Sequence, residues 1–341
     1  MSLSELSVAV VGASGAVGRE ALSILEDRSH PREQIRLFGS SRSAGQSIPY
    51  AGDRLTIERY APDLVAGSDA SILCTSADFS RHEAPTLRSL ATTVIDNSSA
   101  WRADPDVPLV IPEINGDTLS DIDSPRLIAN PNCSTIMMLL AIEPIRRRLG
   151  IRSITVSTYQ AVSGAGQPAI AELRSETERS LRGLQSSPVV FPTSCAFNLF
   201  PHESERDPAT GFRTEELKMV SETHRITGDT TIDVLPTCVR VPVERCHAQS
   251  IVIETATPST ATVLERLLAS CPHIDLDTST PVTPLNTQGT DRVRVGPVRA
   301  SITRPTTRFA LWACCDQLRK GAALNALQVL DTLHDGVQLT C

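Results

Sequence analysis

VAVVGASGAVGREALSIL, Val8 to Leu25, carries the reading that decides the fold: four apolar residues, glycines at 12, 15 and 18, then apolar positions at helical spacing. A short apolar run closed by glycine reads as a strand and the periodic stretch as an amphipathic helix, which makes strand, turn, helix. Such a turn lets backbone amides approach a pyrophosphate, which rests on the helix N-terminus where unpaired N–H groups and the dipole favour an anion. The spacing GxxGxxG departs from the commoner GxGxxG, and tight turns use glycine for steric reasons alone. The flanking strand and helix tip the reading to a nucleotide, lined by Gly12, Ala13, Ser14, Gly15, Ala16, Val17 and Gly18.

The next apolar run, Ile35 to Phe38, reads as a second strand, and beyond its end an acidic residue would hold the ribose hydroxyls of NAD. The chain has none there; it supplies Gly39, Ser40, Ser41, Arg42 and Ser43 instead. Hydroxyl donors around a guanidinium suit a 2′-phosphate, so Ser40, Arg42 and Ser43 favour NADP over NAD, against the plainer reading of a polar surface loop. Further apolar runs at Ala70 to Leu73, Thr93 to Ile95, Leu109 to Ile111 and Leu127 to Ala129 continue a mainly parallel sheet. In open sheets of this kind ligands bind beyond the carboxyl ends of the strands.

The last of those runs leads into NPNCST, Asn130 to Thr135, and then a helical pattern from Ile136 to Leu149. Cys133 therefore stands at a helix N-terminus, where amides and dipole stabilise negative sulfur. A free cysteine is also commonly a small buried filler. As a thiolate, Cys133 would face the same crevice as the cofactor.

At 341 residues and 40% hydrophobic content the chain is long enough for two packed domains. Its net charge is −7 with charges interspersed, so no basic face is offered to nucleic acid or an anionic membrane. No charged-then-apolar leader opens it and no apolar run reaches the roughly 18 residues of a membrane span, which reads as cytoplasmic. Nine cysteines without a CxxC pair suggest reduced thiols and no structural metal.

Past Cys133 the pattern becomes longer strands and helices: a strand over Ser153 to Gln160, a helix near Gln167 to Leu181, and strands through Val239 and Ile251. This predicts an α+β domain. Gly183 to Arg213, rich in proline, serine and phenylalanine without a period, reads as an ordered excursion over the surface. Four features here bear on chemistry. YQAVSGAG, Tyr159 to Gly166, runs a strand into a small-residue turn in which Gln160 would orient a substrate. Glu215 and Lys218 are three apart on a predicted helix, most often an exposed ion pair. Arg240 lies on an apolar strand and needs an anion if buried. His247 follows seven residues later; a lone histidine is more often structural, but one beside a cysteine can lower its pKa and carry protons.

Taken in order along the chain, VGASGAVG, SSRSAG, NSSAWR, PNCST, YQAVSGAG, EELK, CVRVPVERCH and KGAALNALQ resemble the aspartate-β-semialdehyde dehydrogenase family. The resemblance covers most of the chain, and the PNCST and YQAVSGAG pair is its specific part. It implies an α/β architecture: an N-terminal Rossmann-type parallel sheet domain, 1–132 plus 318–341, and an α+β substrate and dimerisation domain, 133–317. It implies Cys133 as nucleophile, His247 as general acid/base, Gln160 orienting the acyl group and Asn132 assisting. Arg240 would clamp the substrate α-carboxylate, Glu215 its amino group, and Arg102 and Lys218 its phosphate; Ser163, Gly164 and Asn325 would border the nicotinamide. The implied reaction is reduction of L-4-aspartyl phosphate to L-aspartate 4-semialdehyde with NADPH and loss of phosphate, in the pathway to lysine, threonine and methionine. The implied assembly is a homodimer or tetramer, with no metal. Departures lie at 183–213, which matches poorly apart from AFN, and at CTSAD, Cys74 to Asp78. N-acetyl-γ-glutamyl-phosphate reductase shares the plan but has no free amino group to engage Glu215; an NADP-binding paralogue without catalysis is the non-enzyme reading.

Overall fold

Strand β1 (Val8–Val11) lies at the centre of a seven-stranded sheet, between β2 (Ile35–Gly39) and β5 (Ala70–Leu73), both parallel to it. The sheet belongs to a computed structural model that describes residues 5–120 and 126–335. Its order is β3 (Ser47–Tyr50), β4 (Asp53–Arg59), β2, β1, β5, β6 (Thr93–Asp96) and β7 (Leu127–Ala129), parallel throughout except β3 against β4. β1, β5 and β6 are buried at every position, the mark of parallel strands covered on both faces. The strand order reverses at β1, which opens the crevice in which such sheets hold ligands.

Helix α1 (Ala16–Asp27) covers one face with Ala21, Leu22, Ile24 and Leu25. Two further helices, α2 (Pro62–Val65) and α3 (Ala77–Ser89), follow, with Ser76 capping α3 through the Phe79 amide. The C-terminal helix, Leu324–Asp335, joins the same core through Leu324, Ala326, Leu327, Val329 and Leu330. Asp331 on it meets Arg28 of the residue following α1 at 3.0 Å. This helix is preceded without a break by a π-helical turn, Arg319–Ala323, and α geometry starts at Leu324.

Two elements differ from the sequence reading. Leu109 to Ile111 is not a strand; Leu109 makes one parallel bridge to Ala129, and the chain turns at Pro112 into the short α4 (Pro112–Asn115), whose Asn115 bonds Leu109 and Ile111. The β3–β4 hairpin was not foreseen. It turns on Ala51 and Gly52, with φ of 48° and 79°, a two-residue turn that requires left-handed backbone at both positions and is seldom signalled by alanine.

The chain divides into two units, Met1–Asn132 with Ala322–Thr340 and Cys133–Gly321. The second is built on an eight-stranded mixed sheet: β12 (Ile274–Leu276), β13 (Val293–Val295), β15 (Arg308–Cys315), β11 (His247–Thr255), β8 (Ile151–Gln160), β10 (Asp233–Arg240) and β9 (Phe200–Pro201), with β14 (Arg299–Ala300) on β15. α5 (Cys133–Leu149) is buried over most of its length, so it reads apolar nearly all round; its buried Glu143 is answered by Arg146 at 2.6 Å and Arg147 at 2.7 Å. α7 (Thr214–Thr227) and α8 (Ala261–Ala269) pack beside it.

The 183–213 excursion is more than a surface loop. α6 (Gln167–Leu181) offers Glu172 to the amides of Val189, Val190 and Phe191, and Glu176 to those of Cys195 and Ala196. With its amides satisfied by carboxylates, the excursion buries Phe191, Cys195 and Phe200 against α6. The expectation of reduced thiols throughout also needs correction: Cys271 is disulfide-bonded, while seven other cysteines are free. No helix among the described residues is long and apolar enough to cross a membrane.

Candidate functional site

In the first unit, a cavity of ≈ 510 Å³ opens at the carboxyl ends of β1, β2, β4 and β5. Gly12 (φ 87°) starts its floor; a Cβ there would collide with the Cys74 carbonyl, and one on Gly18 would lie 2.5 Å from the Gly12 carbonyl. Only glycine lets β1, β5 and α1 close together at this turn. Gly15 caps α1 without a side-chain bond, so the first amides of the helix stay available to an anion. Ala13 is buried in the core and contributes only backbone, its amide going to Phe38, as does that of Gly12. Ser40, Ser41, Arg42 and Ser43 line the far wall together with Arg59 at the end of β4. Neither guanidinium has an ion-pair partner among the described residues. Tyr60 and Phe79, edge to face at 4.9 Å, close the remaining side. Arg59 escaped the sequence reading because its strand was missed.

Beside this cavity the amides of three segments interlock. Asn325 Nδ2 donates to Asn130 Oδ1 at 2.7 Å and to the Val110 carbonyl, and Asn130 Nδ2 donates to Asn97 Oδ1 at 3.0 Å. Asn325 is fully buried in this network. Arg102, also in the first unit, donates to the Asn97 carbonyl at 2.9 Å, in a loop where Asp96 receives the Ser98 amide and hydroxyl.

The second unit gathers most of the remaining candidates at one end of its sheet. Gln160 and Arg240 are register partners at the ends of β8 and β10. Gln160 Nε2 donates to Ser134 Oγ at 2.9 Å and reaches Glu215 Oε1 at 3.4 Å, and Gln249 holds the Ser134 carbonyl at 2.8 Å. The first turn of α5, with Cys133 at its head and Asn132 just before it, is thus tied to the sheet end. Glu215 is buried and meets Lys218 at 3.2 Å, so this is not the exposed pair that spacing alone favours.

His247 begins β11 and is fully buried. Its Nδ1 accepts the Ala161 amide at 3.0 Å, which leaves the proton of the neutral ring on Nε2. Among the described residues Nε2 has no hydrogen-bond partner. Burial first, and the Arg240 charge second, push its pKa down to about 3, so the ring is neutral at physiological pH. A Cβ on Gly164 would stand 3.5 Å from both His247 Nε2 and Arg240 Nη1, so the missing side chain leaves a recess that both groups face. Cys246, at φ 75°, sets the ring's entry in a strained left-handed conformation; its amide is held by Gln317 Oε1 at 2.8 Å, and Gln317 Nε2 also bonds Ser163 Oγ. Gln317 lies 71 residues from Cys246 and had no signal in the sequence.

Cys133 differs from most other thiols. Among the free described cysteines only it and Cys74 are not buried, and burial pushes Cys74 up to about 12. Burial raises Cys195 to about 11 and Cys314 to about 12.

Residues 7–122 match the family model of the semialdehyde dehydrogenase NAD binding domain, and residues 142–320 that of the semialdehyde dehydrogenase dimerisation domain. A relative named aspartate-semialdehyde dehydrogenase from Shewanella violacea is 42% identical over 334 residues, 96% of this chain and 98% of its own. One of the same name from Prochlorococcus marinus is 39% identical over 332 residues, 96% of each. The chain belongs to the aspartate-semialdehyde dehydrogenase family. The crystal structure of aspartate semialdehyde dehydrogenase II from Vibrio cholerae, complexed with ASA, superimposes with a TM-score of 0.92 at 36% identity, covering 97% of this chain and 99% of that one. The match of residues 7–122 to an NAD binding domain supports a nicotinamide cofactor for this chain.

Proposed function

We propose that this chain uses NADPH to reduce L-4-aspartyl phosphate to L-aspartate 4-semialdehyde with release of phosphate, through a thioester on Cys133. The observation that carries it is the unpaired, inward-facing Nε2–H of His247 beside Arg240, at the sheet end to which Gln160 binds the first turn of α5.

The α5 N-terminus favours a thiolate at Cys133. The sulfur attacks the acyl carbon, a C–S bond forms, and the C–O bond to phosphate breaks with its electron pair leaving on the phosphate. The first-unit residues fit NADP: the open amides of α1 suit the pyrophosphate, and Arg42 and Arg59, both unpaired, suit the 2′-phosphate. NADPH held by these residues would supply the hydride that reduces the acyl carbon. His247 donates from Nε2 to the acyl oxygen as charge gathers on it, and Cys133 departs again as thiolate when the C–S bond breaks. Because Nδ1 is engaged by a backbone amide, the ring serves as a neutral donor, a narrower role than the general acid/base the resemblance implies. Gln160 and Asn132 orient the acyl group, Ser163 and Gly164 shape the recess, and Glu215 receives the substrate amino group. The match to a dimerisation domain supports a homodimer.

The test is NADPH formation from L-aspartate semialdehyde, with and without phosphate. Turnover that requires phosphate is expected; activity confined to N-acetylglutamate semialdehyde would reject the substrate. Replacing Arg42 and Arg59 together by alanine is expected to lower the NADP-to-NAD ratio of kcat/KM by roughly 10²- to 10⁴-fold, since each charged hydrogen bond contributes about 1.5–3 kcal/mol. An unchanged ratio would remove the 2′-phosphate from this wall.

A further inference from the structure

The Arg240 guanidinium is already occupied by a carboxylate of its own chain. Glu203, from the excursion before α7, takes Nη2 at 2.6 Å and Nε at 3.2 Å. Nη1 donates to the Ala161 carbonyl at 2.8 Å, Nη2 also meets His202 Nε2 at 3.0 Å, and the Phe191 ring lies beneath at 5.3 Å. The Arg240 side chain is 2% exposed and that of Glu203 23%, so the cation is fixed and the anion has an open side. A second carboxylate cannot take the same two-pronged edge while Glu203 holds it. What remains for a ligand is the second N–H of Nη1, toward the recess at Gly164.

Building on the function proposed above, we infer that Glu203 is the resting counter-ion of Arg240 and sets substrate affinity: the substrate α-carboxylate must displace it from the guanidinium to be bound. In the empty site Glu203 spares a buried guanidinium the cost of standing unpaired. In the occupied site the substrate takes over that duty, and Glu203 turns toward its open side. Glu203 is therefore a positioning residue acting through Arg240. Its ionised form is favoured, because the bonds and charge of Arg240 outweigh the opposing effect of burial and hold its carboxyl below the usual range.

The experiment compares KM for L-aspartate semialdehyde in wild type, Glu203→Gln and Glu203→Asp. Glutamine keeps the shape and removes the competing charge, so KM is expected to fall about tenfold, with kcat moving less than KM. Aspartate keeps the charge but shortens the reach, so KM is expected to fall by about threefold, and this variant decides the matter should the glutamine protein not fold. A purely structural Glu203 would leave KM unchanged or raise it in both variants, and either result would overturn the inference. Wild-type protein that does not turn over the semialdehyde would instead remove the function on which it rests.

Discussion

Cys133→Ser lowers turnover by at least about 10⁴-fold while leaving the fold intact, because a serine hydroxyl at the same place lacks the thiolate that makes the acyl exchange possible. The structure isolates this thiol. Cys195, Cys238, Cys246, Cys314 and Cys315 are buried, and Cys74 is pushed up to about 12 by its surroundings. Among the described cysteines only Cys133 heads a long helix, and its neighbour Ser134 is held from two strands by Gln160 and Gln249. Initial rates of NADPH formation, with circular dichroism to check the fold, measure the loss. Residual activity above about one part in a hundred would move the nucleophile elsewhere.

His247 yields the second large effect, and its two variants separate two roles. With Nδ1 accepting the Ala161 amide, the ring offers a proton on Nε2, and a second proton could go only to Nδ1, which would break that bond and charge the ring. Charging is opposed by burial and by Arg240. One donor to a developing oxyanion is worth about 2.7–4 kcal/mol, so His247→Ala is expected to lower kcat by 10²- to 10³-fold. His247→Gln, whose amide N–H can reach a similar point without titrating, is expected to regain at least about tenfold of that loss. Equal loss in both variants would restore a proton-transfer role. The pH profile carries the same distinction. A group whose pKa is lowered stays neutral until the pH falls through its folded value, here about 3, so kcat/KM should show no limb near 6.5 assignable to this histidine. A limb near 6.5 that disappears in His247→Gln would contradict the neutral-donor account.

Sterics made the Gly12 turn legible from sequence, since Gly12 and Gly18 sit where any side chain would strike backbone. The apolar runs of β1, β5 and β6 were equally plain, because both faces are covered. The β3–β4 hairpin was not legible, because Ala51 adopts a left-handed conformation that alanine seldom signals. Leu109 to Ile111 has a strand's composition, but Pro112 and the bonds of Asn115 turn it away after one bridge. In the site, residue types could be read but their state could not. Arg240 was expected to need an anion; that Glu203, 37 positions earlier, supplies it is a fact of tertiary contact. The same holds for Gln317 beneath Cys246, and for Arg59, which depends on a strand the periodicity did not disclose.

The central claim is an acyl group carried on Cys133, and a single turnover without phosphate tests it most directly. Protein mixed with excess L-aspartate semialdehyde and NADP should form one equivalent of NADPH per active site and then stall, with the mass of an aspartyl acyl group on the peptide bearing Cys133 and none in Cys133→Ser. Steady turnover without a burst, or a burst that leaves Cys133 unmodified, would contradict the account.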